Sequence, residues 1–493
     1  MSSDHKGLGG QREVRAPSLL DALIPAISLI GLLALSYVFF GDTASAGPNQ
    51  IALLFCGIIA AGIAYKNGMS WDGVRQAAVD GVASGLAAIM ILLAVGALIG
   101  TWALSGTIVA MVYYGLQILS PNYFYATTAL ICALVGFSIG SSWTVAGTIG
   151  IGLMGVAASM NLSPEITAGA VISGAYFGDK ASPLSDTANL ATATAGSGIY
   201  EHIRESLFTS VPALFIAILI FSVLGSPGDF DASAMLTGIE NSFQVSLWAF
   251  IPLLIVLGLS IARFPPFVTI FIGALAGGVT ALFLDPSRVI AFAADPSLWA
   301  PLAAVKGVWM ALANGYVASS GNAAIDVILT RGGMSSMMNT VWLIITALAF
   351  GATVEHAGLL NRLIDPLIRR AKSLGALVAS VVATCIGANI VTSDQYIAIA
   401  LPARLFRPEF QKRGLAPVLL SRVVGDSATV TSPLIPWNSC GAYMAAALGV
   451  PVTGFAVYCF FNLLNPLITI VFAVLGLRVL RSTVAGEAAI QER

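Results

Sequence analysis

Four aspartates lie in segments that are otherwise apolar enough to cross a membrane: Asp179, Asp186, Asp394 and Asp426. A charge at the centre of a membrane-spanning helix costs at least about 2.5–3.5 kcal/mol, so each carboxylate needs a partner or a function. Carboxylate, hydroxyl and carbonyl oxygens are hard ligands that suit a small cation such as Na⁺. Burial favours the protonated form of a carboxylic acid, so the same group can hold either H⁺ or a metal ion. The predicted chemistry is therefore competition between two ions at buried acids.

Two Ser-Pro-Leu segments interrupt the apolar stretches near these acids, at Ser182-Pro183-Leu184 and at residues 432–434. Proline removes a backbone donor and clashes with the preceding helical turn. Inside hydrocarbon, unwound backbone persists only where it is buried in protein or lines a wet cavity. The freed carbonyls and helix ends at such breaks can bind ions, so both segments are predicted to be broken helices in mid-membrane.

A second polar interruption precedes each break, GSSWT at 140–144 and NIVTSD at 389–394, and the order is the same in both halves of the chain. This weak internal repeat predicts a duplication. Candidate ion ligands are the oxygen-bearing side chains at the four interruptions: Ser142, Thr144, Asp179, Ser182, Asp186, Asn189, Asn389, Thr392, Ser393, Asp394, Asp426, Ser432 and Asn438.

Three other ionisable residues have competing interpretations. Lys180 follows Asp179 directly, and it could steady the unwound segment through an ion pair or lose its proton when a cation arrives. Glu355 and His356 end an apolar segment. They could form a proton path, since histidine titrates near neutrality, or a solvated helix end. A fourth ionisable residue, His202, is expected in a loop.

Composition defines the kind of protein that positions these residues. The chain is 57% hydrophobic and 10% charged, whereas a soluble domain carries about 25% charged residues. Stretches such as 19–40 and 207–224 are long enough to cross roughly 30 Å of hydrocarbon. A net charge of -1 argues against nucleic acid as a partner. The five cysteines lack CxxC spacing and are expected to be small buried hydrophobic residues. HExxH is absent, and the single GxSxG match, GFSIG at 136–140, lies in an apolar segment without the strand-to-helix turn that this motif needs, so no enzyme and no cofactor is predicted.

The basic residues predict how the two halves are oriented, because lysine and arginine mark cytoplasmic loops. Arg12 and Arg15 place the N terminus inside, and no lysine or arginine occurs between residues 76 and 179. The interruption at 140–144 should therefore be approached from the periplasm. Its counterpart at 389–394 lies between basic clusters within 362–372 and 404–413. Corresponding loops thus fall on opposite faces, which predicts an inverted repeat.

The predicted fold is an all-α polytopic protein of the bacterial inner membrane. It contains two inverted repeats, each with about five transmembrane helices, one re-entrant hairpin and a discontinuous helix at mid-membrane. The hairpins are expected at 123–160 and 373–403. The predicted boundaries are a cytoplasmic N-terminal tail at 1–17, the first repeat at 18–225, a periplasmic linker at 226–242, the second repeat at 243–481 and a cytoplasmic C-terminal tail at 482–493. Within 285–333 an interfacial helix and a true span both stay open.

Several long motifs resemble the NhaC-type Na⁺/H⁺ antiporter family, within the broader ion-transporter group. They are GAYFGDKASPLSDT at 174–187, TSDQY at 392–396, TSPLIPWNSCGA at 431–442 and FNLLNP at 461–466. The resemblance implies exchange of Na⁺ or Li⁺ for H⁺, the two transported ions, by alternating access. It also implies a homodimer in the lipid membrane in which a transport domain moves, elevator-like, against a scaffold. Ala181 is a small departure, because many relatives are expected to carry methionine there.

Similar sequences are also associated with Na⁺-coupled exchange of organic acids such as malate and lactate, or with amino acid transport. A carboxylate substrate would favour an arginine or a helix N-terminus in the cavity. No arginine occurs at either polar interruption or break, and Arg404 and Arg422 are expected at the cytoplasmic surface. A channel is the third alternative, but channels usually assemble pores from several subunits. The sequence therefore favours a cation exchanger.

Overall fold

A computed structural model describes residues 15–225, 232–243, 245–319, 326 and 329–481. Within them the chain is helical, apart from loops and two isolated backbone bridges. The α-helices up to the middle of the chain are α1 Leu19–Phe40, α2 Pro48–Lys66, α3 Trp71–Ser84, α4 Leu86–Leu104, α5 Thr107–Ile118, α6 Phe124–Ile139, α7 Ser142–Val145, α8 Ile151–Ser159, α9 Pro164–Ala181, α10 Asp186–Ala195, α11 Ile199–Val223 and α12 Ser233–Ser242.

The remaining described α-helices are α13 Ile251–Ile261, α14 Pro266–Leu284, α15 Pro286–Ala293, α16 Ala300–Asn314, α17 Met338–His356, α18 Leu359–Arg370, α19 Leu374–Thr392, α20 Gln395–Lys412, α21 Pro417–Val424, α22 Ser439–Leu448, α23 Val452–Phe455 and α24 Phe460–Val474. Two π-helical segments, Ala146–Gly150 and Gly425–Thr429, continue α7 and α21. Residues 1–14 of the predicted N-terminal tail, residues 226–231 of the predicted linker and the predicted C-terminal tail at 482–493 lie outside the described residues.

Nine helical segments in the described ranges are long and apolar enough to cross a membrane. The count becomes ten if the pair Ser439–Leu448 and Val452–Tyr458, bent by 90°, forms one span. Large apolar side chains on the outside, such as Val223 and Phe283, are more than four-fifths exposed. Such a surface is costly in water and suits contact with lipid. The fold is therefore that of a multi-pass membrane protein.

All four predicted interruptions break a helix. The first polar interruption starts at Gly140, which has a φ of +74°, and the second contains Ser393, a non-glycine residue with a φ of +59°. Residues 140–142 form the first tip, and residues 393–394 form the second tip. The first break lies between α9 and α10, and the second lies between the π-helical segment Gly425–Thr429 and α22. Local backbone chemistry thus ends helices where the sequence predicts.

Glycines let the helices that carry the first tip and the first break approach closely. A Cβ atom on Gly178 of α9 would lie 2.4 Å from the backbone carbon of Gly136 on α6, and one on Gly174 would lie 2.1 Å from the carbonyl oxygen of Ala129. Small residues at such contacts are how membrane helices pack tightly. In the other half, a Cβ atom on Gly351 would lie 2.1 Å from the carbonyl oxygen of Thr392. These contacts fix the positions of both tips.

The described part of the stretch at 285–333 contains two shorter helices, α15 and α16, outside the nine long ones. Lys306 contacts Asp295 at 2.9 Å, and Arg288 contacts Asp285 at 3.0 Å. The hydrogen bond from Lys306 lowers the pKa of Asp295 to about 2. Both of these basic residues are therefore paired with a local carboxylate.

Candidate functional site

A cavity of about 90 Å³ lies where the first break meets both tips, and it is called the inner cavity here. Three carboxylates line it, Asp179, Asp186 and Asp394. Among the residues described, its lining includes no lysine, arginine or histidine. The other polar or aromatic lining residues are Ser84, Ser141, Ser142, Trp143, Thr187, Gln395, Tyr396, Ser439 and Cys440. The cavity therefore concentrates negative charge and oxygen ligands.

Asp179 is the most heavily bonded of the three acids. One carboxylate oxygen accepts from the backbone N–H of Ser142 at 3.2 Å and from its hydroxyl at 2.7 Å. The other accepts from the hydroxyls of Ser185 at 2.6 Å and Thr187 at 3.4 Å. These bonds tie the first break to the first tip. A hydroxyl that donates to a carboxylate can rotate and offer its oxygen lone pairs to a cation instead.

Asp394 belongs to the second tip and caps α20, where its side chain accepts from the backbone N–H of Ile397 at 2.8 Å. A carboxylate at a helix N-terminus is stabilised by the unpaired N–H groups and by the helix dipole. The side chain is buried yet lines the inner cavity. Capping thus holds an acid at the cavity wall without a basic partner.

Asp186 begins α10, and its side chain is exposed. One oxygen accepts from the backbone N–H of Thr187 at 2.9 Å and the other from the hydroxyl of Tyr396 at 2.6 Å. Asp186 also borders a larger cavity of about 480 Å³, called the vestibule here, which Thr144 and Asn189 line as well. The amide of Asn189 donates to the carbonyl oxygen of Ser185 at 2.6 Å. It therefore bonds unwound backbone of the first break.

Lys180 forms an ion pair with Asp426 and not with its sequence neighbour Asp179. The interpretation of Lys180 as a partner of Asp179 is therefore wrong. Successive residues of an α-helix point about 100° apart, and the two side chains leave α9 on different sides. Thr209 adds hydrogen bonds of 2.9 and 3.1 Å to the Asp426 carboxylate. Thr469 and Asn465 also donate to it. Both charges are buried, and neither lines the inner cavity.

The second break is held by amides. Asn389 donates to the carbonyl oxygen of Ala428 at 2.8 Å and to the hydroxyl of Thr431 at 3.1 Å. Asn438 donates to the side-chain oxygen of Asn389 at 3.1 Å, and Ser432 donates to the carbonyl oxygen of Thr429. The predicted ligands that do not line the inner cavity or the vestibule are Ser182, Asn389, Thr392, Ser393, Asp426, Ser432 and Asn438.

Glu355 and His356 stand apart from the inner cavity. The carboxylate of Glu355 lies 3.8 Å from Arg404, and both side chains are partly exposed. The side chain of His356 is exposed at the end of α17. This placement fits a solvated helix end.

Two basic residues expected near water are buried. His202, expected in a loop, lies inside α11 with a ring nitrogen 3.0 Å from the hydroxyl of Ser421. Arg422, expected at the cytoplasmic surface, is 1% exposed and lies 3.8 Å from the buried carboxylate of Glu205. Glu205 also accepts from Arg478 at 2.8 Å. The expectation for Arg422 was wrong because this acid, distant in sequence, supplies the charge that lets the guanidinium leave water.

The site residues that the sequence analysis missed include Ser185, Thr187, Gln395, Tyr396 and Cys440. Each lies within two residues of a residue that was named, so proximity to the predicted acids and breaks was the available signal. Which of these side chains face the cavity depends on how the helix after each break is rotated about its axis. The unwound backbone at the break prevents that rotation from being predicted from the sequence.

The broken helices and a buried acidic cavity define a class, that of multi-pass membrane transporters. The Na⁺/H⁺ antiporter family matches residues 174–477 of the chain. Over 434 residues the chain is 37% identical to the Na⁺/H⁺ antiporter NhaC of Alkalihalophilus pseudofirmus, covering 87% of this chain and 91% of that protein. The chain belongs to the Na⁺/H⁺ antiporter family.

Two other relatives have different names. The malate-2H⁺/Na⁺-lactate antiporter of Bacillus subtilis is 31% identical over 448 residues, covering 89% of this chain and 91% of that protein. The arginine/ornithine antiporter ArcD of Halobacterium salinarum is 30% identical over 470 residues, covering 94% of this chain and 93% of that protein. All three relatives are antiporters by name, and none is named as an enzyme.

Proposed function

We propose that this chain exchanges Na⁺ or Li⁺ for H⁺ across the membrane, with both ions competing for the inner cavity. The observation that carries the proposal is the convergence of Asp179, Asp186 and Asp394 on one cavity without a basic residue in its described lining. A water molecule takes up about 30 Å³ in the liquid. A cavity of about 90 Å³ thus suits a small cation with two or three waters or hydroxyl oxygens.

Competition follows from the charge on the three acids. An empty cavity with ionised carboxylates is costly to move through a low-dielectric layer, because nothing offsets the charge. A bound cation offsets part of that charge, and protons on the acids do the same. The hydroxyls of Ser142, Ser185 and Thr187 serve both forms, since each can donate to a carboxylate or turn an oxygen towards a cation. The loaded forms cross more readily than the empty form, which couples the two ions.

We propose that this exchange proceeds by alternating access. The parts that move against each other are two inverted repeats, each of about five spans and one re-entrant hairpin. Two matching contacts support the correspondence of the two halves: Ser142 of the first tip bonds Asp179 beside the first break, and Asn389 near the second tip bonds Asn438 beside the second break. The distribution of basic residues supports an inner-membrane orientation with both termini in the cytoplasm. A homodimer with elevator-like motion is part of the same proposal.

A carboxylate or amino acid exchanger is the second candidate, and the vestibule gives it one specific observation. Arg263, in the turn between α13 and α14, lines that cavity of about 480 Å³ together with Asp186 and Asn189. The vestibule is large enough for an organic acid, and an arginine can bind a carboxylate through two hydrogen bonds. The described lining of the inner cavity offers such an anion three carboxylates and no basic side chain, so we place cation exchange first.

The test is transport by the purified full chain in liposomes with a preset pH gradient. Addition of Na⁺ or Li⁺ should collapse the gradient, whereas malate, lactate, arginine and ornithine should not. Asp179→Asn, Asp186→Asn and Asp394→Asn should each reduce the exchange at least about tenfold, the loss expected from a single charged ligand. Asp21→Asn, which changes a carboxylate bonded to Lys66 outside the inner cavity, is the control. Full exchange in all three variants would place the site elsewhere, and uptake of an organic acid would favour the second candidate.

A further inference from the structure

The vestibule and the inner cavity are neighbouring compartments. They share three lining residues, Ser141, Asp186 and Pro266. Asp186 is the one carboxylate found in both linings, whereas Asp179 and Asp394 line only the inner cavity. Asp186 is therefore the acid that a cation in the vestibule meets before Asp179 and Asp394.

The hydroxyl of Tyr396 forms a hydrogen bond with Asp186, the carboxylate that both linings share. It donates to a carboxylate oxygen of Asp186 at 2.6 Å, and Tyr396 lines the inner cavity but not the vestibule. Asp186 begins α10 and Tyr396 is the second residue of α20, so the bond joins helix ends that lie 210 residues apart. The bond thus connects the first break to the second tip across the route between the two compartments.

We propose that Tyr396 is a gate between the vestibule and the inner cavity. This inference rests on the proposed function and adds a residue to it. While the hydroxyl donates to Asp186, one oxygen of the only carboxylate shared by the two described linings is engaged. A cation that binds Asp186 displaces the hydroxyl and opens the way to Asp179 and Asp394.

The contacts of the pair suit a bond that opens and closes. The side chain of Tyr396 is 46% exposed and that of Asp186 is also exposed, so water can replace the bond on either partner. Net hydrogen-bond contributions are small when both partners are otherwise hydrated. The bond between Ser142 and Asp179, at 2.7 Å, is buried on both sides and lacks that alternative. The hydrogen bond between Tyr396 and Asp186 is therefore more readily exchanged than the hydrogen bond between Ser142 and Asp179.

Cys440 is a built-in reporter for this gate. Its thiol lines the inner cavity, is 1% exposed and donates to the side-chain oxygen of Gln395 at 3.0 Å. The experiment uses the full chain with the other four cysteines replaced by alanine and measures the rate at which methyl methanethiosulfonate, a small neutral thiol reagent, modifies Cys440. The four replaced positions are Cys56, Cys132, Cys385 and Cys459.

Tyr396→Phe should raise the modification rate of Cys440 about threefold or more, because loss of a hydrogen bond between two exposed partners shifts an equilibrium by that order. Tyr113→Phe is the matched control: its hydroxyl also donates to a carboxylate at 2.6 Å, that of Glu240, away from both cavities. In this control variant Cys440 should be modified at the same rate as in the parent protein with Cys440 as its single cysteine. Asp186→Ala removes the acceptor of the same hydrogen bond. Cys440 should therefore be modified as fast in Asp186→Ala as in Tyr396→Phe.

The apparent KM for Na⁺ in liposomes is the second measurement. Tyr396→Phe should lower it several-fold, because the cation no longer competes with the hydroxyl. An unchanged labelling rate in both Tyr396→Phe and Asp186→Ala, or a raised KM, would overturn the gate; the second result would make the hydroxyl a cation ligand. Labelling does not depend on which ion is transported. Failure of Na⁺/H⁺ exchange would therefore leave the gate test intact, and failure of the gate would leave the proposed exchange intact.

Discussion

Replacement of Asp426 by asparagine should destabilise the folded protein by about 3–5 kcal/mol, the cost of leaving a buried charge unpaired. The partner of Asp426 is Lys180, and the two side chains are 0% and 1% exposed. Asparagine keeps an oxygen that can accept from the hydroxyls of Thr209 and Thr469. The variant therefore loses mainly the negative charge that compensates the ammonium group of Lys180. Unfolding of the purified protein in detergent, followed by circular dichroism, measures the change.

Two companion variants separate charge from hydrogen bonding. Lys180→Met combined with Asp426→Asn removes both charges and should restore stability to within about 1 kcal/mol of the wild type. Asp21→Asn breaks a Lys–Asp pair whose lysine, Lys66, is 67% exposed, and should cost less than about 1 kcal/mol. A double variant as unstable as Asp426→Asn would refute the reasoning, because the hydrogen bonds and not the charges would then dominate. Retained exchange in the stable double variant would show that Asp426 is not an ion ligand.

The remaining predictions concern packing and the proton path. Gly178→Ala should destabilise the protein by about 1–3 kcal/mol and reduce exchange, because its Cβ would lie 2.4 Å from the backbone of Gly136 and push the first tip from the first break. Gly387→Ala is its control, since a Cβ there meets nothing within 4 Å; equal losses in the two variants would contradict the packing argument. Glu355→Gln should leave exchange within about twofold of the wild type, because its partly exposed pair with Arg404 lies outside the inner cavity. A much larger loss would instead favour a proton path.

The positions of the interruptions could be predicted because their causes are local. Pro183 cannot donate a backbone hydrogen bond, and the residues after it begin a new helix with Ser185 as its cap. Gly140 takes up a left-handed conformation that ends α6. Each of these effects depends on a residue and its immediate neighbours, and a single sequence displays them directly.

The partners of the charged residues could not be predicted in the same way. Lys180 lies next to one acid in sequence, yet helix geometry directs it to Asp426 on another helix. Arg422 follows an apolar stretch and reads as a surface residue until Glu205 is brought to it by the packing of α11 against α21. Burial of a charge depends on a compensating group, and compensation here comes from residues more than 200 positions away.

The two Ser-Pro-Leu breaks arise from one repeated pattern but meet different surroundings. Pro183 of the first break lines the vestibule, whereas the second break is bonded internally by Asn389 and Asn438. The second half reaches the inner cavity through its tip, which contributes Asp394, and the first half contributes Asp179 from beside its break. The three acids therefore come from both halves of the chain. Movement of one half of the chain against the other would change the distance of Asp394 from Asp179 and Asp186, so we expect the cavity to bind and release ions without either break having to unfold.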